Sequence, residues 1–268
     1  MLAELLAAVA MFGAPAGGTE PAVVWAVGDG ANGTTEARRL ATAIRRDRPD
    51  RFLYLGDVYP SGTRSDFARN YDPVYGALAR RTSPTPGNHE WGNRATGYFP
   101  YWKRELGRAI DPWYAVDDVG GWQLLSLNSE AEHGAGSQQL RWLQGRLGEG
   151  SCRIAFWHRP RFSAGSFHGD AADVAPLWDA VEGRAALVLN GHDHNSQRFR
   201  SRGGTVELVA GAGGSNLYRV KRDRRLAWSD ARNVAALRME LTPGRASFEF
   251  RTASGRVLRR GAVKCSAA

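Results

Sequence analysis

Apolar residues in this chain fall into short unbroken runs, and several of those runs stop at a glycine beside an acidic residue or at a histidine. Ala22-Val23-Val24-Trp25-Ala26-Val27 ends in Gly28-Asp29-Gly30, and Arg51-Phe52-Leu53-Tyr54-Leu55 ends in Gly56-Asp57. Arg153-Ile154-Ala155-Phe156-Trp157 ends in His158, and Ala185-Ala186-Leu187-Val188-Leu189-Asn190 runs into Gly191-His192-Asp193-His194. Runs this short, with β-branched or aromatic centres, predict strands buried on both faces. Between the first two, Thr34 or Thr35 caps a helix with Glu36 in its first turn, Leu40, Ala43 and Ile44 on one face, and Pro49 beyond its end. A strand-helix-strand unit predicts parallel pairing, which carries Asp29 and Asp57 to the same sheet edge.

Residues 63–81 read as helical with a break at Pro73, and 82–85 as a short strand leading into Pro86-Gly87-Asn88-His89-Glu90. Residues 91–110 are aromatic, a loop plus a helix. Residues 113–116 and 122–127 read as strands joined by Gly120-Gly121, a meander and not another crossover. Ser137 opens a capped helix ending at Gly148, and a further helix lies near 173–181. Strands at 205–210, 234–241 and 246–252 follow. Antiparallel strands after parallel units predict an α/β protein, two mixed β-sheets packed face to face and flanked by helices.

At 268 residues and 43% hydrophobic content the chain can bury a large core, and its length suits a single domain over 21–268. Net charge is +9 and the pI about 10.0, which invites a polyanion partner. The basic residues are scattered arginines, with Lys103, Lys221 and Lys264 the only lysines, so no dedicated nucleic-acid surface is expected. Residues 1–20 form a signal-like or disordered N-terminus: an apolar centre precedes Gly13-Ala14-Pro15-Ala16, but Glu4 stands where basic residues belong. The stretch is too short to span a membrane and points to a secreted or otherwise extracytoplasmic protein. Cys152 and Cys265 form either one disulfide in an oxidising compartment or two buried thiols. Oligomeric state is not set by any of these features.

The strand ends carry metal-type side chains: Asp29, Asp57, Asn88, His158, and the pair His192 and His194. Two histidines spaced by two in extended backbone project to one side, which suits one nitrogen for each of two metal ions. Hard oxygens mixed with imidazole suit Fe, Mn or Zn. Of six histidines only His133 and His168 lie outside these motifs, so the clustering is not dispersed chance.

Gly28-Asp29-Gly30, Gly56-Asp57-Val58-Tyr59, Gly87-Asn88-His89-Glu90, Trp157-His158-Arg159-Pro160 and Gly191-His192-Asp193-His194, in that order, resemble the motifs of a calcineurin-like metallophosphoesterase, nearest its purple-acid-phosphatase branch. The resemblance runs from about residue 23 to 199, and Gly211-Ala212-Gly213-Gly214 is similar to a loop of such enzymes. It implies a four-layer α/β/β/α sandwich with a two-metal site at the strand ends. Asp57 would bridge the metals, Asp29 and His194 would complete one site, and Asn88, His158 and His192 the other. The implied reaction is hydrolysis of a small phosphate monoester by a metal-activated hydroxide, with His89 as general acid or as a residue that only orients Asn88. A phosphodiesterase or nuclease using the same site, and a silent metal-binding domain, are the alternatives.

Two departures bear on this. Most relatives have histidine two residues after the first aspartate, where this chain has Ala31; the purple branch lacks it too and uses a tyrosine three residues after the bridging aspartate. Here that position is Pro60, and Tyr59, one residue early, is either a metal ligand or a structural tyrosine. Arg159 stands where relatives often have a second histidine, and either contacts phosphate or forms a salt bridge on its loop. Asn88 and His168, the latter on a Gly/Ser-rich loop, are the other candidate substrate contacts. Glu90 and Asp193 are expected to accept hydrogen bonds behind the ligands. Trp91, Tyr98 and Phe99 form either a pocket wall or plain core.

Overall fold

The apolar runs pair into two sheets whose inner faces share one core. The structure, a computed structural model, describes residues 20–148 and 151–265; the signal-like segment lies outside the described residues, apart from Glu20. β1 (Ala22–Val27), α1 (Thr35–Arg46) and β2 (Arg51–Tyr54) form the expected parallel unit, with Val24 opposite Arg51. Thr34 caps α1 by accepting from the Ala37 N–H, and Ala37, Leu40, Ala41 and Ile44 are its buried stripe. Ala43, expected on that stripe, is half-buried at its margin.

The helical run continues through α2 (Arg64–Asp66), a π-helical turn (Phe67–Tyr71), α3 (Asp72–Tyr75) and a 3-10 segment (Gly76–Arg81). Pro73 does not break it, contrary to the sequence reading. Proline cannot donate to the preceding turn, and the wider π turn hands the chain on so that Pro73 falls in the first turn of α3, where that donor is not needed.

β3 (Thr82–Pro84), α4 (Asn88–Trp91) and α5 (Tyr98–Leu106) come next, then β4 (Tyr114–Val119), β5 (Trp122–Ser126), α6 (Gln138–Arg146), β6 (Cys152–Phe156), α7 (Ala175–Val181) and β7 (Leu187–Asn190). β8 (Ser196–Phe199), β9 (Val206–Ala210), β10 (Leu226–Asp230), β11 (Ala235–Thr242), β12 (Arg245–Thr252) and β13 (Val257–Lys264) complete the chain. One sheet has the order β13-β12-β11-β1-β2-β3 and the other β10-β8-β9-β7-β6-β5-β4. Both are mixed: β1, β2 and β3 run parallel while β11 joins β1 antiparallel, and β5, β6, β7 and β9 run parallel inside antiparallel margins.

Val24, Leu53, Met239 and Phe248 from one sheet meet Ile154, Phe156, Leu189 and Leu208 from the other. The outer face of the first sheet is covered by α1, the helical run and α5, through an aromatic cluster that includes Phe67, Tyr71, Tyr101 and Trp102. α6 and α7 cover the second with Leu143, Leu177 and Trp178. Four layers result. Cys152, at the start of β6, is disulfide-bonded to Cys265 just beyond β13, with Cα atoms 5.5 Å apart, so the bond ties one sheet to the other. Among the described residues no helix is long and apolar enough to cross a membrane.

Glu207 of β9 is buried and accepts the Arg161 N–H at 2.8 Å and the Phe162 N–H at 3.0 Å. Burial raises its carboxyl well above the ordinary value despite those bonds. A group raised on folding contributes stability below its unfolded value and loses it as pH rises through its folded value. Urea unfolding from pH 4 to 8 is therefore expected to show wild-type stability falling relative to Glu207→Gln as pH rises, by up to about 1.4 kcal/mol per pH unit. Parallel curves would refute it.

Candidate metal centre

Every candidate ligand sits just past the carboxyl end of a parallel strand: Asp29 after β1, Asp57 after β2, Asn88 after β3, His158 after β6, and His192 and His194 after β7. Open α/β sheets gather their ligands at that end. The two sheets are joined there, Gly28 N–H donating to the Ala210 carbonyl at 2.9 Å, and within the first sheet Asp29 N–H donates to the Gly56 carbonyl at 3.0 Å.

Asp29, Asp57 and His192 have left-handed backbones, with φ of 61°, 70° and 70°. In a non-glycine residue each such conformation costs on the order of 1–3 kcal/mol and persists only where surroundings enforce it. His192 N–H is bound to Asp29 Oδ2 at 2.8 Å, and Asp57 N–H to Glu90 Oε1 at 3.1 Å. Buried Glu90 also takes the Gly87 N–H at 3.0 Å and the Val58 N–H at 3.0 Å, the acceptor role expected of it. Burial, then the nearby Asp57 carboxylate, raises its carboxyl to about 7. Two glycines make room: a Cβ on Gly87 would strike Asp57 Oδ1, and one on Gly191 would lie 2.7 Å from Asp29 Oδ2.

The side chains converge in two groups about Asp57. On one side, His158 Nε2 lies 3.4 Å from Asp57 Oδ1, 3.1 Å from Asn88 Oδ1 and 3.1 Å from His192 Nδ1. On the other, the Tyr59 hydroxyl lies 3.3 Å from Asp57 Oδ2, 3.3 Å from Asp29 Oδ1 and 2.9 Å from His194 Nε2, which is itself 3.6 Å from Asp29 Oδ1. Tyr59 thus reaches the cluster although it stands one residue early in its loop.

Backbone carbonyls fix two tautomers. His158 Nδ1 donates to the Leu55 carbonyl at 2.8 Å and His194 Nδ1 to the Asn216 carbonyl at 2.9 Å, which turns each Nε2 inward. Burial alone would lower His158, but the Asp57 carboxylate outweighs it and pushes the imidazole up to about 10, while His158 holds Asp57 well below the carboxylate range. Burial, reinforced by His158, pushes His192 far down, and burial takes His194 to about 4. A buried carboxylate beside imidazole nitrogens, with ligand atoms of Asp57, His158 and His192 all within 4.8 Å of one another, fits a divalent metal, whose charge would take the place of the His158 proton.

Around this cluster the sequence candidates separate. His89 donates Nδ1 to the Pro60 carbonyl at 2.5 Å and holds Nε2 3.8 Å from Asp57 Oδ2, its side chain about one-third exposed. The His168 ring lies 3.9 Å from that of His192, so its loop does reach over the cluster. Arg159 is held by both oxygens of Glu130, at 2.8 and 3.0 Å, which is the salt-bridge outcome. Asp193 accepts from the Ser163 hydroxyl. Tyr98 is buried in the aromatic core, whereas Trp91 and Phe99 are half-buried and pack edge to face at 6.3 Å. Sequence reading did not single out Tyr218, stacked on His194 at 4.2 Å, or Ser215, whose hydroxyl donates to the Asp29 carbonyl at 2.7 Å. Both lie just past the Gly211–Gly214 loop, whose glycines were the only signal.

A family model for calcineurin-like phosphoesterases matches residues 22–196. No curated protein matches the sequence. Among solved structures, a purple acid phosphatase from yellow lupin (Lupinus luteus) seeds is similar at a TM-score of 0.74 and 16% identity, over 90% of this chain and 53% of that one, so this chain spans about half the lupin protein. The anchor protein of the inner membrane complex of Plasmodium gives 0.77 at 14% identity, over 92% and 90%. A dimetal phosphatase from Danio rerio gives 0.65 at 15%, over 92% and 100%. Identities this low speak for the fold alone; the matched family, covering most of the chain, goes further. The chain belongs to the calcineurin-like phosphoesterase family, as a metal-dependent phosphoric ester hydrolase.

Proposed function

We propose that this protein hydrolyses small phosphate monoesters at a site for two metal ions. The observation that carries the reading is the division of donors about Asp57, whose Oδ1 faces His158 and whose Oδ2 faces Tyr59. Asp57 would then be shared, with Asp29, Tyr59 and His194 on one metal and Asn88, His158 and His192 on the other. A pair drawn from Fe, Mn or Zn supplies Lewis-acid charge for the phosphoryl oxygens and an activated water for attack on phosphorus. The protein's own part is positional: Glu90 clamps the Asp57 loop to Gly87, and the Leu55 and Asn216 carbonyls aim His158 and His194. His89 keeps Nε2 on the open side, where it would hand a proton to the leaving oxygen, and His168 over His192 would face the phosphoryl group. Arg159, committed to Glu130, would act by holding its loop. The sheet-to-sheet disulfide supports work in an oxidising, extracytoplasmic compartment.

The test is turnover of p-nitrophenyl phosphate against its bis-ester by the full chain reconstituted with Fe, Mn or Zn. The expected result is preference for the monoester. Preference for the diester would make the protein a phosphodiesterase, and silence with metal bound would overturn the catalytic reading.

A further inference from the structure

Phe167 is 71% exposed, the one exposed large hydrophobic side chain among the described residues. An exposed phenyl ring gains nothing from water, and Phe167 is not at a loose loop tip. Ser166 N–H donates to the Arg219 carbonyl at 2.8 Å and Lys221 N–H to the Ala164 carbonyl at 2.8 Å, so two loop segments are paired backbone to backbone. Its ring stacks on Tyr218 with centroids 4.9 Å apart and planes 28° apart. Tyr218 stacks in turn on His194 at 4.2 Å and 14°. Phe167 also meets His168 edge-on at 4.7 Å, His168 lies 5.7 Å from Tyr218, and His168 lies on His192. Two ladders of rings therefore lead from the histidines of the candidate centre to one outward-facing phenyl.

We propose that Phe167, backed by Tyr218, is a stacking platform that selects phosphate monoesters whose leaving group carries a planar ring, as aryl phosphates and nucleoside 5′-monophosphates do. The inference rests on the phosphomonoesterase reading. With its phosphoryl group at the centre, such an ester projects its leaving group outward past His168, and a nucleotide puts its base one ribose away from the reacting phosphorus. Offset stacking on an aromatic face rewards a flat π-system and is indifferent to which base or aryl group supplies it. An aliphatic alcohol gains no such contact.

The test compares kcat/KM for AMP and ribose 5-phosphate, and for p-nitrophenyl phosphate and glycerol phosphate, on the metal-reconstituted full chain. The expected result is that Phe167→Ala lowers the ring-to-aliphatic ratio by about tenfold or more, and that Phe167→Trp restores it. A lowered ratio in the AMP pair assigns the platform to nucleotides, and one confined to the nitrophenyl pair assigns it to aryl esters. Calorimetric binding of benzylphosphonate against methylphosphonate gives a readout without turnover, and its preference for the ring is expected to vanish in Phe167→Ala. If the esters are hydrolysed and both ratios stand unchanged in Phe167→Ala, the platform is overturned. If wild type hydrolyses none of them, the phosphomonoesterase reading fails, and the calorimetric preference alone decides whether the rings bind.

Discussion

Asp57→Asn is expected to lower kcat for p-nitrophenyl phosphate by about a thousandfold or more and to deplete bound metal, with little change in fold. Loss of a partner that merely orients a metal ligand costs about 10–100-fold, and a carboxylate shared by two metals must exceed that. The amide has the same shape but offers one oxygen where Asp57 offers two. Its NH2 would face either Asn88 and His158 or Tyr59 and Asp29, presenting donor hydrogens where lone pairs are required. Metal analysis, turnover and far-UV circular dichroism on the same preparation check all of this. A folded, metal-loaded variant that kept wild-type turnover would remove Asp57 from the reaction.

Breaking the Cys152–Cys265 bond is the second large effect. The bond closes 113 residues of chain, and in the chain-entropy account a loop of that length is worth about 4–5 kcal/mol. Cys152→Ala with Cys265→Ala is expected to lose about that much unfolding free energy in urea, and roughly 10 °C in Tm. Reductant is expected to destabilise wild type by a similar amount and to leave the double variant unaffected. An unchanged unfolding midpoint in the double variant would mean that packing between the sheets carries the connection without the bond.

What the sequence made legible was whatever is local. Each ligand-bearing loop announces itself because a buried strand must be apolar along its length and a tight exit needs glycine. A run such as Ala22–Val27 ending in Gly28-Asp29 can therefore be read without a partner in view. The strands missed were those whose burial depends on neighbours. Ser196 and Gln197 of β8 are polar and fully buried, with Gln197 donating to the Ser163 hydroxyl, so no apolar pattern marks them. β13 is an edge strand with Arg259 and Arg260 exposed, and β10 is only half-buried. Pro73 misled because a proline inside a helical pattern usually ends it, and the π turn that absorbs it leaves no mark in residue type. At the site, the strand-helix-strand pattern carried Asp29 and Asp57 to one edge and put Asn88 and the histidines at strand ends, and the family resemblance implied that these ends share one site. The pairing of Arg159 with Glu130, and of His194 with Tyr218, joins residues far apart in the chain that only the fold brings together.

The place of β1 between β2 and β11 has a consequence for how the protein is made. β2 follows β1 within about one helix of chain, but β11 begins at Ala235. At roughly 5–20 residues per second, one edge of the newly made β1 waits on the order of 10–40 s for its partner to leave the ribosome. For that interval its unpaired N–H and C=O groups and the inner face of Val24 and Ala26 stand open to other nascent chains. Every candidate ligand has been synthesised by residue 196, yet β11, β12 and β13, half of the sheet beneath Asp29 and Asp57, have not. A fragment cut to the matched segment would carry every candidate ligand on an unfinished sheet and without the Asn216 carbonyl that aims His194, so slowed translation or early termination is expected to yield aggregate in place of a smaller working enzyme.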